Sequence, residues 1–228
     1  ESGELRRLIE EDGLRGVTVN PSILDEAIRQ TDDYDDAIAE LAAKRKTPRE
    51  MYEALAFEDV QRAADLFRPI YDRTEGRHGF VSLEVSPRLA YDTEGTIERV
   101  RYLWKALDRP NVMIKVPATK EGLPAIRELT ADGINVNVTL LFGLPRYREV
   151  ADAYIQGIEE RLSTGKPVDR IASVASFFLS RINVLLDPML EQMIEAGGAQ
   201  ADKASQVRGE AAIASAKLAY QIYKHIFE

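Results

Sequence analysis

The sequence has 228 residues, of which 45% are hydrophobic and 30% are charged, a composition and length that suit one well-packed globular domain. Its formal net charge of -8 argues against nucleic acid as a main partner, which would need a broad basic surface, but is compatible with a small phosphorylated molecule. The absence of cysteine excludes disulfides, thiolate metal sites and a cysteine nucleophile, and the only two histidines, His78 and His225, fall in a turn and a terminal helix, which disfavours histidine catalysis and metal binding.

Short apolar segments of strand character alternate with longer segments of helical periodicity along the chain. The predicted strands are Gly16–Ser22, Phe80–Val85, Val112–Thr119, Asn135–Phe142 and Ile171–Phe178. Between the first two, Thr47-Pro48-Arg49-Glu50 has the pattern of a capping box with proline at the first helical position. The alternation predicts βα units around a parallel sheet, in a single domain that spans residues 1–228.

The two ends of the sequence lack strand patterns. The chain opens close to a helix and closes on a long helical segment, and five strands do not close a barrel of eight. The sheet is therefore either open or part of a barrel whose terminal strands are absent from this sequence, and we favour the second.

No apolar run approaches the roughly 20 residues of a membrane span and no signal-peptide pattern opens the chain, so we expect a cytoplasmic protein that does not associate with membranes.

Each predicted strand has one apolar and one partly polar face, whereas strands covered by helices on both faces should be apolar throughout. Because side chains alternate along a strand, Val136, Val138 and Leu140 are expected to share the apolar face of the fourth strand. The residues on the partly polar faces are Thr18, Asn20 and Ser22; Ser82, Glu84 and Ser86; Met113, Lys115, Pro117 and Thr119; Asn135, Asn137 and Thr139; and Val174, Ser176 and Phe178.

These polar faces are expected to converge on the inside of a barrel or on the crevice of an open sheet. Glu84, Lys115, Thr139 and Ser176 fall towards the C-terminal ends of their strands, which is where barrel enzymes place their sites. A polar network that only fixes strand register is the alternative, but five converging strands with a lysine and a glutamate favour a functional site.

Lys115 is the sharpest single candidate, because burial disfavours its charged ammonium form and favours the neutral amine. A neutral amine can attack a ketone and form an iminium, which serves as an electron sink when the adjacent carbon–carbon bond breaks. Glu84, on the neighbouring strand, can act as general acid and base, directly or through a water held by Thr139. Asn20 and Asn137 suit hydrogen bonds to substrate hydroxyls or to the amine. The alternative is a structural ion pair between Lys115 and Glu84.

Arg181 follows the fifth strand in the segment Ser176-Phe177-Phe178-Leu179-Ser180-Arg181. A guanidinium with a nearby hydroxyl at the end of such a strand suits a phosphate monoester. The pattern alone leaves a solvated or helix-capping arginine equally open.

The motifs around these residues resemble those of the transaldolase family over almost the whole chain. The segment Gly16–Ser22 contains the T-x-N-P-S signature, Ile114–Thr119 followed by Gly122 resembles the Schiff-base lysine strand, and Asn135–Phe142 resembles N-x-N-x-T-L-x-F. The subtype is similar to bacterial transaldolases that are sometimes fused to a sugar-phosphate isomerase.

The resemblance implies a parallel (β/α)8 TIM-type barrel that lacks its first and last strands in this sequence. It also implies transfer, in the pentose phosphate pathway, of a dihydroxyacetone unit from sedoheptulose 7-phosphate or fructose 6-phosphate to an aldose phosphate, without cofactor or metal. Expected partners are phosphorylated sugars and a second copy of the chain or a fused isomerase domain. Carried over by motif, Lys115, Glu84 and Thr139 are catalytic, and the substrate is bound by Asn20, Thr18, Ser82, Asn137, Ser176, Phe178 and Arg181.

The sequence departs from the family pattern in two places: no residue matches the acidic residue of the family's first strand, and the chain ends before the second phosphate-binding arginine. Two other functions stay open. A fructose-6-phosphate aldolase uses the same lysine chemistry, although that relative has glutamine where Glu84 stands and a tyrosine as acid and base. A non-catalytic sugar-phosphate binding module is the other.

Overall fold

The computed structural model of the protein describes residues 3–228, and its strands form one parallel sheet. The strands are β1 (Gly16–Val19), β2 (Phe80–Glu84), β3 (Val112–Pro117), β4 (Val136–Leu141) and β5 (Ser173–Phe177). Their order in the sheet follows the chain, β1-β2-β3-β4-β5, as expected for consecutive βα units. The five predicted strands and the parallel sheet are confirmed, although each strand is shorter than predicted because the chain turns towards a helix soon after its last ladder residue.

The helices fill the segments between and after the strands. They are α1 (Glu4–Glu10), α2 (Pro21–Gln30), α3 (Asp35–Ala43), α4 (Pro48–Arg73), α5 (Thr93–Leu107), α6 (Gly122–Asp132), α7 (Leu144–Ser163), α8 (Ser180–Ala196), α9 (Ala201–Val207) and α10 (Ala211–Phe227), with a short 3₁₀ helix at Pro87–Leu89. The predicted capping box opens α4: the Thr47 hydroxyl accepts from the Glu50 N–H at 3.3 Å, and the Glu50 carboxylate accepts from the Thr47 N–H at 2.8 Å. Within residues 3–228, no helix combines the length and apolarity needed to cross a membrane.

One face of the sheet is apolar and packs against the helices. The outward residues of β2, β3 and β4 share a single buried core with residues of α4, α5, α6, α7 and α10. Its fully buried members include Phe67, Val81, Leu103, Ile114, Ile126 and Val136. Burying a side chain of this size stabilises the fold by roughly 1.5–3 kcal/mol. The apolar faces predicted for β2 and β3, and for β4 as far as Val138, are therefore confirmed, and the opposite face carries polar residues.

The phase of β4 differs from the prediction at its C-terminal end. Leu140 was expected on the apolar face with Val136 and Val138, but it is 37% exposed and its backbone adopts a positive φ of 62°. The pairing between β4 and β5 shifts register between Val138 and Leu141, which indicates a β-bulge with one extra residue in β4. Because of that extra residue, Leu141 takes the buried position on the core face instead.

Candidate active site

Lys115 lies buried in the middle of the polar face, in contact with one residue from each of two preceding strand ends. Only 4% of the residue is exposed, and its Nζ donates to Asn20 Oδ1 at 2.6 Å and to Glu84 Oε2 at 2.9 Å. Glu84 is the last residue of β2 and stands directly opposite Lys115 in the parallel register. The Glu84 side chain keeps 23% of its surface exposed, so this carboxylate lies between the buried amine and the outside.

The Asn20 side chain hydrogen-bonds to Lys115 instead of capping the helix that follows it. It is the N-cap residue of α2, with extended backbone angles, and Pro21 occupies the first helical position. Its carbonyl accepts the first helical hydrogen bonds, from the N–H groups of Ile23 and Leu24. An asparagine here normally also caps the helix with its side chain, but no such bond forms and Oδ1 accepts from Lys115 instead. The Asn20 side chain therefore orients the Lys115 amine, and the N-terminus of α2 lacks a side-chain cap.

A second group of polar side chains forms a hydrogen-bonded row beside Lys115. Asn137, which stands opposite Lys115 in the register, donates from Nδ2 to Ser82 Oγ at 3.0 Å and accepts at Oδ1 from Ser176 Oγ at 2.8 Å. The row therefore links β2, β4 and β5 across the polar face. Buried polar groups need partners of this kind, and a row satisfied on both sides holds its members in one arrangement.

Thr139 lies on β4 two residues after Asn137, but its side chain makes no hydrogen bond to the row. Only 1% of the residue is exposed, and its Oγ1 has no hydrogen-bond partner among the residues that the structure describes. An unsatisfied buried hydroxyl costs about 1–3 kcal/mol, so each one in a native structure needs an explanation. The Thr139 hydroxyl thus has unused hydrogen-bonding capacity beside the row.

Three of the predicted substrate-binding residues, Thr18, Phe178 and Arg181, make no side-chain hydrogen bond to Lys115 or to the row. Thr18, on β1, is exposed, and its side chain has no hydrogen-bond partner within residues 3–228. Arg181 lies in the first turn of α8, exposed to solvent, with its Cζ 5.1 Å from the centre of the Phe178 ring. The Ser176 hydroxyl donates to Asn137, and within residues 3–228 no hydrogen bond joins it to Arg181.

A cavity of about 480 Å³ adjoins Glu84 and contains charged groups that the sequence did not point to. It lies between α2, α4 and α5, and its walls include Arg88 and the ion pair of Arg99 with Glu53, whose N–O distance is 2.9 Å. Tyr52 also lines it: burial first, and then the charge of Asp25, raises the pKa of Tyr52 above its usual value. In a sequence, an arginine on an amphipathic helix is expected to be solvated. The pairing of Arg99 with Glu53 therefore becomes visible only when α4 and α5 are seen to lie side by side.

Another cavity, of about 600 Å³, lies on the helix-covered side of the sheet, away from Lys115. Apolar and tyrosine side chains of β5, α7 and α10 line it, including Tyr147, Tyr154, Tyr220 and Tyr223. Its lining contains neither an amine nor a carboxylate. Among residues 3–228, no group of three or more metal-ligating side chains comes together.

The arrangement around Lys115 can perform amine chemistry on a carbonyl group. A buried nitrogen, a carboxylate at hydrogen-bonding distance and an amide that orients the nitrogen are the parts that imine formation requires. The same ion pair would also be present in a purely structural network. The Thr139 hydroxyl has no hydrogen-bond partner among the described residues, and the Asn20 side chain does not cap its helix. Neither arrangement stabilises the fold, so both favour a functional site over a purely structural network.

Known proteins resemble the chain in sequence over its whole length. The sequence model of the family described as transaldolase/fructose-6-phosphate aldolase matches residues 1–228. The chain is similar to the transaldolase of Saccharopolyspora erythraea, with 48% identity over 226 residues that cover 99% of this chain and 59% of the relative. It is also similar to the transaldolase of Trichodesmium erythraeum, with 46% identity over 231 residues that cover 100% of this chain and 60% of the relative. The chain therefore spans about three fifths of the length of these curated relatives.

Proposed function

The chain belongs to the transaldolase and fructose-6-phosphate aldolase family, and we propose that it carries the Schiff-base site of a transaldolase. In this proposal a dihydroxyacetone unit passes from sedoheptulose 7-phosphate or fructose 6-phosphate to an aldose phosphate while bound to Lys115. The observation that carries the proposal is the contact of the buried Lys115 nitrogen with Glu84 at 2.9 Å and with Asn20 at 2.6 Å.

The proposed sequence begins when the unprotonated Lys115 amine attacks the ketone carbon of the donor sugar. The carbinolamine loses water to give an iminium, and Glu84 moves the protons that this step requires. The hydroxyl on the carbon β to the iminium then gives its proton to the Glu84 carboxylate or to the water beside it, and the bond between the α and β carbons breaks. Its electron pair moves towards nitrogen, and an aldose phosphate leaves. The enamine that stays on Lys115 attacks the aldehyde carbon of the acceptor, and hydrolysis of the new imine releases the product and restores the amine.

The other polar residues are assigned supporting roles. Thr139, whose buried hydroxyl has no partner among the described residues, would hold with Glu84 the water that is lost and regained. Asn137 and Ser82 would bind substrate hydroxyls from their fixed row, and Asn20 would also orient the amine. Thr18 and Phe178 would line the pocket.

The phosphate end of the substrate is assigned to Ser176 and Arg181. A guanidinium offers a planar fork of N–H donors that matches a phosphate monoester. Arg181 is exposed and has no carboxylate partner within residues 3–228, so its donors are free for such a group. Phosphorylated sugars are accordingly the proposed ligands.

We further propose that the five strands are part of an eight-stranded α/β barrel within one domain that includes residues 1–228. The parallel sequential order, the helices on one face and the polar side chains on the other support this arrangement. The cytoplasmic location, the cofactor-free and metal-free chemistry, and the second copy or fused isomerase as partner stay predictions.

Replacing the amine tests the proposal most directly. Incubation with fructose 6-phosphate and borohydride should add the mass of a reduced sugar adduct to the wild-type chain, and Lys115→Ala should remove that adduct completely because no nucleophilic nitrogen is left. Intact-protein mass spectrometry measures both. Lys105→Ala, which removes an exposed lysine of α5, should trap as the wild type does. An adduct that survives in Lys115→Ala contradicts the assignment.

Product analysis separates the transaldolase from the two alternatives. With fructose 6-phosphate and erythrose 4-phosphate, a transaldolase forms a seven-carbon ketose phosphate. Release of free dihydroxyacetone would indicate a fructose-6-phosphate aldolase. A wild-type chain that binds the sugar but forms neither product nor adduct would be a binding module.

A further inference from the structure

Phe142 lies at the C-terminal end of β4, where the β-bulge has changed the direction of the chain. The bulge puts Leu141 on the core face, and the Leu141 carbonyl accepts from the Phe178 N–H at 2.7 Å. This bond fixes the two chain segments that follow β4 and β5 beside each other. Phe142 is consequently not part of the core; it is 40% exposed at the same edge of the sheet as the candidate site.

Phe142, Phe178 and Arg181 form a small stack at this edge, in which Phe178 contacts both of the other side chains. The Phe142 and Phe178 rings are 5.2 Å apart between centres and inclined by 20°, and the Arg181 Cζ lies 5.1 Å from the Phe178 ring centre. Stacked aromatic rings and a guanidinium over a ring face are both favourable contacts. Phe142 directly follows β4, Phe178 directly follows β5 and Arg181 lies in α8, so the stack joins these three segments.

We propose that Phe142 is a positioning residue that orients Arg181 through Phe178 for the phosphate group of the substrate. The inference rests on the proposed function and adds to it the residue on which the phosphate contact depends. A ring contact occupies the flat face of the guanidinium and leaves the N–H groups at its edge free for phosphate oxygens. An exposed arginine without such support would have to order its side chain when the ligand binds, and that ordering weakens affinity.

Phe142→Ala should weaken binding of phosphorylated sugars and leave the amine chemistry intact. We expect the concentration of fructose 6-phosphate that gives half-maximal borohydride trapping to rise by about threefold to tenfold, the factor that corresponds to losing one aromatic or cation–π contact. The same titration with dihydroxyacetone, which has no phosphate, should not change. Inorganic phosphate should also compete less well with fructose 6-phosphate in this variant than in the wild type.

Two further variants make the result specific. Phe142→Tyr keeps the ring and should restore trapping of fructose 6-phosphate to near the wild-type concentration dependence. Tyr102→Ala removes a comparable surface contact elsewhere, since Arg99 lies 4.9 Å from the Tyr102 ring centre and Phe57 packs beside that ring at 6.2 Å. This control should leave the titrations with both sugars unchanged.

The outcomes separate the inference from the function on which it rests. If the wild type traps neither sugar, the proposed function fails and the inference fails with it. If the wild type traps both, and Phe142→Ala leaves both titrations unchanged or weakens both equally, the function stands and Phe142 has no positioning role. A loss confined to fructose 6-phosphate, with recovery in Phe142→Tyr, supports the inference.

Discussion

β3 and β5 carry the two ends of the proposed site, and their surroundings differ. β3 lies at the centre of the sheet and is buried along its whole length, between the polar row and the helices. β5 lies at an edge of the sheet within residues 3–228, and Val174 on that strand is 44% exposed. The helix after β5 is open as well: Val184 on α8 is 74% exposed.

This difference matches the chemistry proposed for each end. An amine and a carboxylate interact most strongly where water is excluded, and the Lys115–Glu84 pair occupies the buried centre. A phosphate group arrives with its own hydration and needs an accessible cation, and Arg181 lies at the open edge. The comparison suggests that the centre provides catalysis and the edge provides binding, which the following substitutions test.

The largest effect is expected from Glu84→Gln. The amide cannot carry protons during imine formation, so the rate of transfer to the acceptor should fall by about 10²- to 10⁴-fold. Ser176→Ala, at the edge, removes one hydrogen bond to Asn137 and should lower the rate by about tenfold or less, because such a bond contributes about 0.5–1.5 kcal/mol. Steady-state kinetics over a range of donor concentrations, which gives kcat and kcat/KM separately, measures both. Equal losses in the two variants would erase the distinction between centre and edge.

Truncating an apolar side chain should lower the free energy of unfolding much more on the central strand β3 than on α8 at the edge. Ile114→Ala removes a side chain that is 0% exposed on the core face of β3 and should cost about 2–5 kcal/mol in the free energy of unfolding. Val184→Ala on α8 should change it by less than about 0.5 kcal/mol. Urea denaturation with an unchanged m value gives both numbers. A large loss in Val184→Ala would mean that this face of α8 is covered in solution.

Much of the sheet and of the polar row could be predicted because the information is local. Period-two alternation distinguishes the faces of each strand, and consecutive βα units place neighbouring strands side by side. These two rules bring Glu84 opposite Lys115 and Asn137 next to it, as the register confirms. The roles of these residues, by contrast, still depend on the experiments above.

The features that the sequence did not reveal depend on partners far away in the chain. Leu140 changes faces because β4 gains one residue relative to β5, and alternation within β4 contains no sign of that. Arg99 pairs with Glu53 across 46 residues, between two helices whose approach no local pattern specifies.

The smallest expected effect concerns how the helices of the two regions begin. α4, which packs against β2, starts with the Thr47–Glu50 capping box, whereas Leu179 at the start of α8 provides no side-chain cap. Thr47→Ala should therefore cost about 1 kcal/mol in the free energy of unfolding. Thr47→Ser keeps the hydroxyl and should retain most of that stability. Denaturant titration measures the three proteins, and an unaffected Thr47→Ala variant would show that the cap is dispensable.

Glu50 adds a pH dependence whose sign is fixed by its partners. Hydrogen bonds from the Thr47 backbone and then the Thr47 hydroxyl, followed by Lys46, lower the pKa of Glu50 to about 2 in the folded chain. The folded pKa lies below the unfolded value of about 4.3, so the contribution is complete above that value and is lost as the pH falls towards 2. The stability difference between the wild type and Glu50→Gln should thus narrow as the pH falls from about 5 to about 3. Denaturation midpoints of the two proteins across this range measure it, with Glu94→Gln, also in the first turn of a helix, as the control. A difference that stays constant would mean that the carboxylate charge does not contribute to the cap.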